Sequence, residues 1–326
     1  MNNFSYLEAA EYCDRAAINA GLQIPSEFLG DFSGKVFVLF HAKKLKPFIP
    51  CMDGLFAAYA ASLALPEARL ISALYGAQNA PKVQWGKGDR VYLLDLTYPG
   101  SIIESWVNAG AEVIVLDHHK GALEDLSLLS SRVLESGRVK ATFDMNRSGA
   151  VMAWRHFFPA YAIPDSFEYV QDRDLWVKQL PNCDRFHFGL QEALEGKTVA
   201  EAIAAISFLD FDEVAEVGAV VEAEIKQAIA DAVVNHQTRC VLGYTVPFYR
   251  CRSKRELQAY PDIGNALMKV KIKRSLFGKP ETPPFAVVQT GGGWALRSNA
   301  EGLDVSAISK QLGGGGHRNA SGCRAG

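Results

Sequence analysis

Residues 113–121 read VIVLDHHKG: four apolar residues run directly into Asp117, His118 and His119. A continuously apolar run of this length fits a strand buried on both faces, as strands in a parallel sheet are. Its charged end then falls at the rim of that sheet. Two earlier stretches have the same build. KVFVLFH (35–41) ends in His41, and RVYLLDL (90–96) delivers Asp95. The alanine-rich CMDGLFAAYAASLAL (51–65), opening near Asp53, and SIIESWVNAG (101–110) lie between these strands and carry helical patterns. Strand, helix, strand, helix, strand in this order predicts right-handed crossovers and a parallel sheet.

The α/β class therefore holds for an N-terminal domain placed at residues 1–195, with a short helix over Tyr6–Ala20 ahead of its first strand. Residues 196–238 read as a helical connector, with apolar positions at helix spacing and an acidic first turn in DEVAEVGAVVEAEIKQAIADAVVNHQ (212–237). Beyond it, residues 239–326 change to short strands and form a smaller α/β domain. PFAVVQT and WALRS, joined by three glycines, predict a hairpin. The chain then runs through DVSAISKQL (304–312) into GGGGHRNASG (313–322).

Composition narrows the class. With 326 residues, 48% hydrophobic and 21% charged, the chain can bury a substantial core. Its 34 basic residues are balanced by 36 acidic ones, so no bulk charge grips long nucleic acid, and an anionic partner is expected to be small or met locally. The first residues carry acids and no apolar core, against a signal peptide. No apolar run is long enough to span a bilayer, so no membrane partner is expected. Six cysteines without short paired spacings suggest neither a disulfide framework nor a zinc knuckle, and a cytoplasmic location is the expectation. Neither a G-x-x-x-x-G-K-[ST] loop nor a G-x-G-x-x-G turn follows the first strand, which disfavours nucleotide triphosphate motors and dinucleotide oxidoreductases.

In parallel α/β sheets, ligands sit outside the carboxyl ends of the strands. His41, Asp95 and the 117–119 cluster share that position, and YVQDRDLW (169–176) adds Asp172 and Asp174. Any one of these acids alone reads more often as a helix cap or turn former than as a ligand. Together they point to metal, because several carboxylates buried at one place need cations. Oxygen and imidazole donors suit manganese, magnesium, iron or zinc, and a bridging carboxylate suits two ions.

These motifs together resemble the DHH phosphoesterase superfamily, in its form with a DHH-associated C-terminal domain, over most of the chain. Asp117, His118 and His119 stand where the naming motif stands. CMDG resembles the first motif, LLDLTYP the second and DRDLW the fourth, while FDMNRSGAVMAW is similar to a helix that follows the third in some members. WALRS and GGGGHRNASG resemble the substrate-binding signature of the C-terminal domain.

The resemblance implies a metal set of His41, Asp53, Asp95, His118 and Asp174, with Asp95 bridging two Mn2+ or Mg2+ ions. Asp174, directly preceding Leu175 and Trp176, is preferred to Asp172. It implies His119 facing the scissile phosphate and Asp117 orienting imidazole from behind. Arg297, Ser298, Gly314, Gly315, Gly316 and His317 would bind substrate, with Asn265 assisting, the glycines letting backbone amides approach an anion. The chain departs from the family at one point. Cys51 takes the place of the first acid, and AKKLKPFIP (42–50) separates it from His41. A thiolate-ligated site, one filled only with substrate, and a lost site all follow from that. Lys43, Lys44 and Lys46 in the insertion read as a solvated loop or as phosphate contacts. His156 and His236 read as packing or capping groups, and His187 as a residue that can approach the cleft.

The function implied is metal-dependent hydrolysis of short oligonucleotides or cyclic dinucleotides. The alternatives are a pyrophosphatase, polyphosphatase or nucleotide phosphatase with the same chemistry, and a nucleotide-binding protein whose catalysis has decayed. The partner is then a short oligonucleotide or phosphorylated nucleotide, and a homodimer stays open.

Overall fold

The computed structural model describes residues 21–23, 28, 34–273 and 279–324. The helix expected over Tyr6–Ala20 lies outside them. The chain forms two compact units, Met1–Gly218 and Ala219–Gly326.

The first unit is built on five parallel strands: β1 (Val36–Leu45), β3 (Arg69–Ala73), β4 (Arg90–Leu94), β5 (Glu112–Asp117) and β6 (Val139–Phe143). Their order across the sheet is β3-β1-β4-β5-β6, with the short β2 (Phe48–Pro50) folded back antiparallel on the end of β1. Helices fill the connections: α1 (Met52–Ala64), α2 (Gly100–Asn108), α3 (Lys120–Leu126), α4 (Ser131–Glu135) and α5 (Gly149–Phe157). The unit continues with α6 (Asp165–Asp174), α7 (Cys183–Ala193) and α8 (Val199–Ile206). From β1 the chain passes to β3 on one side and then to β4 on the other. The direction of winding therefore changes beside β1, and in open parallel sheets ligands bind at such a switch, outside the carboxyl ends of the strands.

Two of these strands, β3 and β6, were not among those expected from sequence. Both are short and carry polar residues, Arg69 and Ser72 in one and Lys140 and Thr142 in the other, so neither shows the apolar run that marks β1, β4 and β5. Each is an edge strand, where burial on both faces is not required.

The core explains why α1 is alanine-rich. Nearly all of it is buried, in a layer with Phe157, Trp154 and Phe167 on one side of the sheet. Small side chains let it pack close to β1 and α5. At Gly54 an added Cβ would overlap the backbone of His41, so this glycine permits the approach of helix to strand. The opposite face is covered by Ile103, Trp106 and Val107 of α2, packed on Leu39, Leu93, Val113 and Val115. Each such fully buried side chain contributes about 1.5–3 kcal/mol of transfer free energy.

The helical region expected as one stretch is two helices, α8 and then α9 (Phe211–Asn235). Thr198 and Glu201 form a reciprocal cap at the start of α8. The boundary between the two units falls inside α9. The second unit has a six-stranded sheet in the order β11-β12-β10-β9-β8-β7. The strands are β7 (Gln237–Val241), β8 (Tyr244–Arg250), β9 (Ala286–Thr290), β10 (Gly293–Arg297), β11 (Gly315–His317) and β12 (Ala320–Cys323). Its helices are α10 (Lys254–Gln258), α11 (Tyr260–Leu267) and α12 (Val305–Gln311). CVLGYTVPFYR divides at Leu242 and Gly243, both with positive φ, into the β7–β8 hairpin. The β9–β10 hairpin joined by glycines forms as expected, Thr290 pairing with Gly293.

Candidate metal centre

Carboxyl ends of β1, β4 and β5 bring His41, Asp95, Asp117, His118 and His119 to one rim, and the start of α1 adds Cys51 and Asp53. Asp95 stands at the centre. Its φ of 54° is left-handed, a conformation an aspartate tolerates better than most residues. That turn aims the carboxylate across the rim. His118 Nε2 lies 3.2 Å from Asp95 Oδ1, 3.5 Å from Asp53 Oδ2 and 3.6 Å from Asp174 Oδ2. On the other side, His41 Nδ1 lies 3.4 Å and Cys51 Sγ 3.6 Å from Asp95 Oδ2.

Asp53 is held by the first turn of α5. The amides of Gly149 and Ala150 donate to its two oxygens at 2.6 and 2.8 Å, so the helix N-terminus steadies a carboxylate that is 1% exposed. Ser148 caps the same turn. A Cβ at position 149 would stand 2.6 Å from Asp95 Cβ and 3.0 Å from Asp53 Oδ2. Only glycine leaves room for both acids. Asp117 lies behind the imidazoles: its Oδ1 accepts the backbone amides of His118 and His119 at 2.7 and 3.0 Å and faces His119 Nδ1 at 2.7 Å.

The insertion at 42–50 does not hold His41 and Cys51 apart. β1 continues through it to Leu45, the chain reverses at Lys46–Pro47, and β2 returns with Pro50 opposite Ala42. His41 and Cys51 thus sit at the root of a hairpin, on either side of one paired rung. Lys43, Lys44 and Lys46 are exposed along the arm.

The electrostatics describe a site short of positive charge. Burial, and then the charges of Asp95 and Asp174, push the Asp53 carboxyl well above the usual range, and burial followed by the same two acids raises the Cys51 thiol. Burial works to lower the His118 pKa, but the hydrogen bond to Asp95 and the charges of Asp174 and Asp53 carry it up to about 10. Asp95 is opposed by burial, yet hydrogen bonds from His118 and His41 hold it well below the carboxylate range. Protons are thus drawn to the cluster wherever acids crowd. A divalent cation answers the same need, and the donors fit one. Asp53, Asp95 and His118 offer ligand atoms within 4.8 Å of one another, as do His41, Cys51 and Asp95.

Asp174, the last residue of α6, joins this rim, whereas Asp172 turns away and accepts the amides of Gln179 and Leu180 at 2.9 and 3.1 Å. His156 packs among Phe28, Tyr92 and Phe157, and His236 Nδ1 lies 2.6 Å from Val233 O at the end of α9. His187 is half-buried beside Gln191, and burial with the nearby charges of Arg173, Lys43 and Lys178 holds its pKa well below the usual value.

Sequence reading missed Tyr75. It follows β3, itself unread, and its hydroxyl lies 3.0 Å from both Asp95 O and His119 Nε2. Its ring also packs 4.2 Å from that of His41. The only signal available was its place just after a strand end.

In the second unit, Ala320 pairs with Arg297 on one side and His317 on the other, so these two side chains leave the same face of the sheet with a methyl group between them. Gly264 of α11 packs against Arg297, which places α11, with Asn265, on that face. The second half of the glycine run is in a strand. Gly315–His317 pairs with β12, and side chains at 314 or 316 would meet the backbone of Gly322 or Ala320. Ser298 is engaged within the fold, donating to Leu303 O at 2.7 Å and accepting from Asn319 at 2.9 Å.

No protein-family model matches the chain. A protein of Acanthamoeba polyphaga mimivirus is 28% identical over 250 residues, 72% of this chain and 53% of that protein, so the match spans about half the length of the curated relative. The chain is similar to RecJ of Thermus thermophilus in complex with Mn2+, at 11% identity and a TM-score of 0.47, covering 98% of this chain and 52% of RecJ. It is also similar to the pGpG-specific phosphodiesterase PggH of Vibrio cholerae, at 12% identity and a TM-score of 0.43, covering 90% and 93%. An exopolyphosphatase-related protein of Bacteroides fragilis matches at 11% identity and a TM-score of 0.44, covering 95% and 91%. What the site can do is read from its own side chains.

Proposed function

We propose that the chain is a metal-dependent phosphoesterase of the DHH type, hydrolysing the phosphodiester of short oligonucleotides or cyclic dinucleotides. One observation carries this reading: two donor sets, Asp53–Asp95–His118 and His41–Cys51–Asp95, share a single carboxylate. Two Mn2+ or Mg2+ ions held there would activate a water and neutralise charge on the phosphoryl group. Asp174 completes the first set from α6.

The remaining residues position the site. Asp117 holds the His119 ring through Nδ1 and fixes the turn through both amides. The Tyr75 hydroxyl lies 3.0 Å from both Asp95 O and His119 Nε2, so Tyr75 on one side and Asp117 at Nδ1 on the other fix the orientation of the His119 ring. Arg297, with His317 on the same face of its sheet and Asn265 on the helix covering it, would bind a phosphate group of a nucleotide. The convergence of His41 and Cys51 on Asp95 weighs against decayed catalysis.

The test is incubation with manganese and a panel of labelled dinucleotides, longer RNA, cyclic dinucleotides and pyrophosphate. Cleavage of short diesters is expected. Turnover of pyrophosphate alone would favour the phosphatase alternative, and failure on every substrate with metal confirmed bound would overturn the enzyme reading.

A further inference from the structure

A groove of about 610 Å³ lies wholly within the second unit, between the end of α9, the edge strand β7, β8 and the segment entering α10. Three arginines line it, Arg239, Arg250 and Arg252. Among the described residues none of the three is within ion-pair distance of a carboxylate. Two acids also line the groove, and the charge of Arg252 helps to hold the Glu256 pKa down. Glu256 accepts the Tyr249 hydroxyl at 2.8 Å and the amides of Arg252 and Ser253, and Asp231 accepts from Gln227 at 2.8 Å.

The register shows how the cations are presented. Gln237 pairs with Phe248, so Gln237, Arg239, Phe248 and Arg250 project along one face at the free edge of the sheet. The Arg239 guanidinium lies 4.0 Å over the Phe248 ring and is braced by Gln237 Oε1 at 2.8 Å. An aromatic ring and an amide thus hold it without neutralising it. Three guanidinia against two carboxylates leave the recess with a net positive charge, and guanidinia bind phosphate oxygens as planar forks.

We propose that this groove binds a phosphate-bearing nucleotide ligand, its anionic groups taken by Arg239, Arg250 and Arg252. The shared chemistry has two sources, a free mononucleotide or the backbone of a single strand. The site does not depend on turnover at the acidic cluster.

Anisotropy of a fluorescein-labelled oligodeoxythymidylate of about 12 nucleotides on the full chain, with EDTA present, tests it without hydrolysis. Arg250→Glu with Arg252→Glu, and separately Arg239→Glu, are expected to weaken binding about tenfold or more. The double variant should also flatten the salt dependence by about one to two powers, as expected when single-strand phosphate contacts are lost. Circular dichroism reports whether each variant stays folded, and Arg250→Lys, keeping the charge, should recover part of the affinity. Competition assigns the source: displacement by AMP indicates a mononucleotide site, and displacement only by unlabelled oligonucleotide indicates a strand. The proposal is overturned if neither ligand binds the unmodified protein or if folded variants bind both as it does. It also fails if Arg138→Glu, just ahead of β6, costs as much affinity.

Discussion

The two donor sets that meet at Asp95 are unequal in burial, support and chemistry. Asp53 and His118 are each 1% exposed and are held by α5 amides and by β5, with oxygen and nitrogen donors only. His41 and Cys51 are half-buried at the root of a hairpin and include a soft sulfur. A hard cation is therefore expected to sit more tightly in the first set, and a softer divalent ion to be preferred in the second. One carboxylate couples two sites of different character.

Removing the shared ligand should collapse that distinction. Asp95→Ala is expected to lower manganese-dependent turnover on the order of a thousandfold or more and to reduce bound metal at both sites, read by activity and metal analysis. Asp95→Asn, which tolerates the left-handed backbone, should lose activity while remaining folded. If it kept both ions and turnover, the shared role would be wrong.

Replacing sulfur sharpens the contrast. Cys51→Asp should shift preference at the second set from cadmium or zinc toward manganese by about 10- to 100-fold while leaving the first unchanged, measured by calorimetric titration. An equal change at both sites would argue against separate sets.

Crowding tests the first set by itself. Gly149→Ala forces a methyl group against Asp53 and Asp95, and a loss of about 1–3 kcal/mol of stability is expected in thermal or denaturant unfolding. Gly315→Ala, where a Cβ meets nothing within 4 Å, serves as the control.

The smallest effect is in pH. Asp53 and His118 both bind protons more tightly folded than unfolded, so their contribution is full at low pH. It is lost as pH rises, for Asp53 from above the ordinary carboxyl range and for His118 from about 6.5 through its folded value of about 10. With EDTA the protein should melt progressively lower as pH rises, whereas manganese, which replaces those protons, should stabilise it more at each step. Melting curves across that range read both slopes. A manganese shift independent of pH would separate the ions from these groups.

How much of this was legible follows from the kind of signal each part leaves. β1, β4 and β5 are buried on both faces, and that demand writes an apolar run ending in charge, so His41, Asp95 and the 117–119 cluster could be placed from sequence. The edge strands β3 and β6 face no such demand and were missed, and with β3 went Tyr75. Asp174 and Asp172 are alike in sequence, and only the end of α6 decides which faces His118. The glycines at 314–316 were read as freedom to approach an anion; Gly314 and Gly316 have a structural reason as well, since a Cβ at either would meet the backbone of Gly322 or Ala320. The insertion misled most, because sequence distance hides the pairing of Ala42 with Pro50.

That pairing has an evolutionary corollary. Ligands rooted on a rung are insensitive to what happens at the tip, so residues added or removed in matched pairs beyond Leu45 and Phe48 would lengthen or shorten the arm without moving either donor. The arm is therefore a place where related chains can differ in size, reach and surface charge while the chemistry beneath them stays fixed.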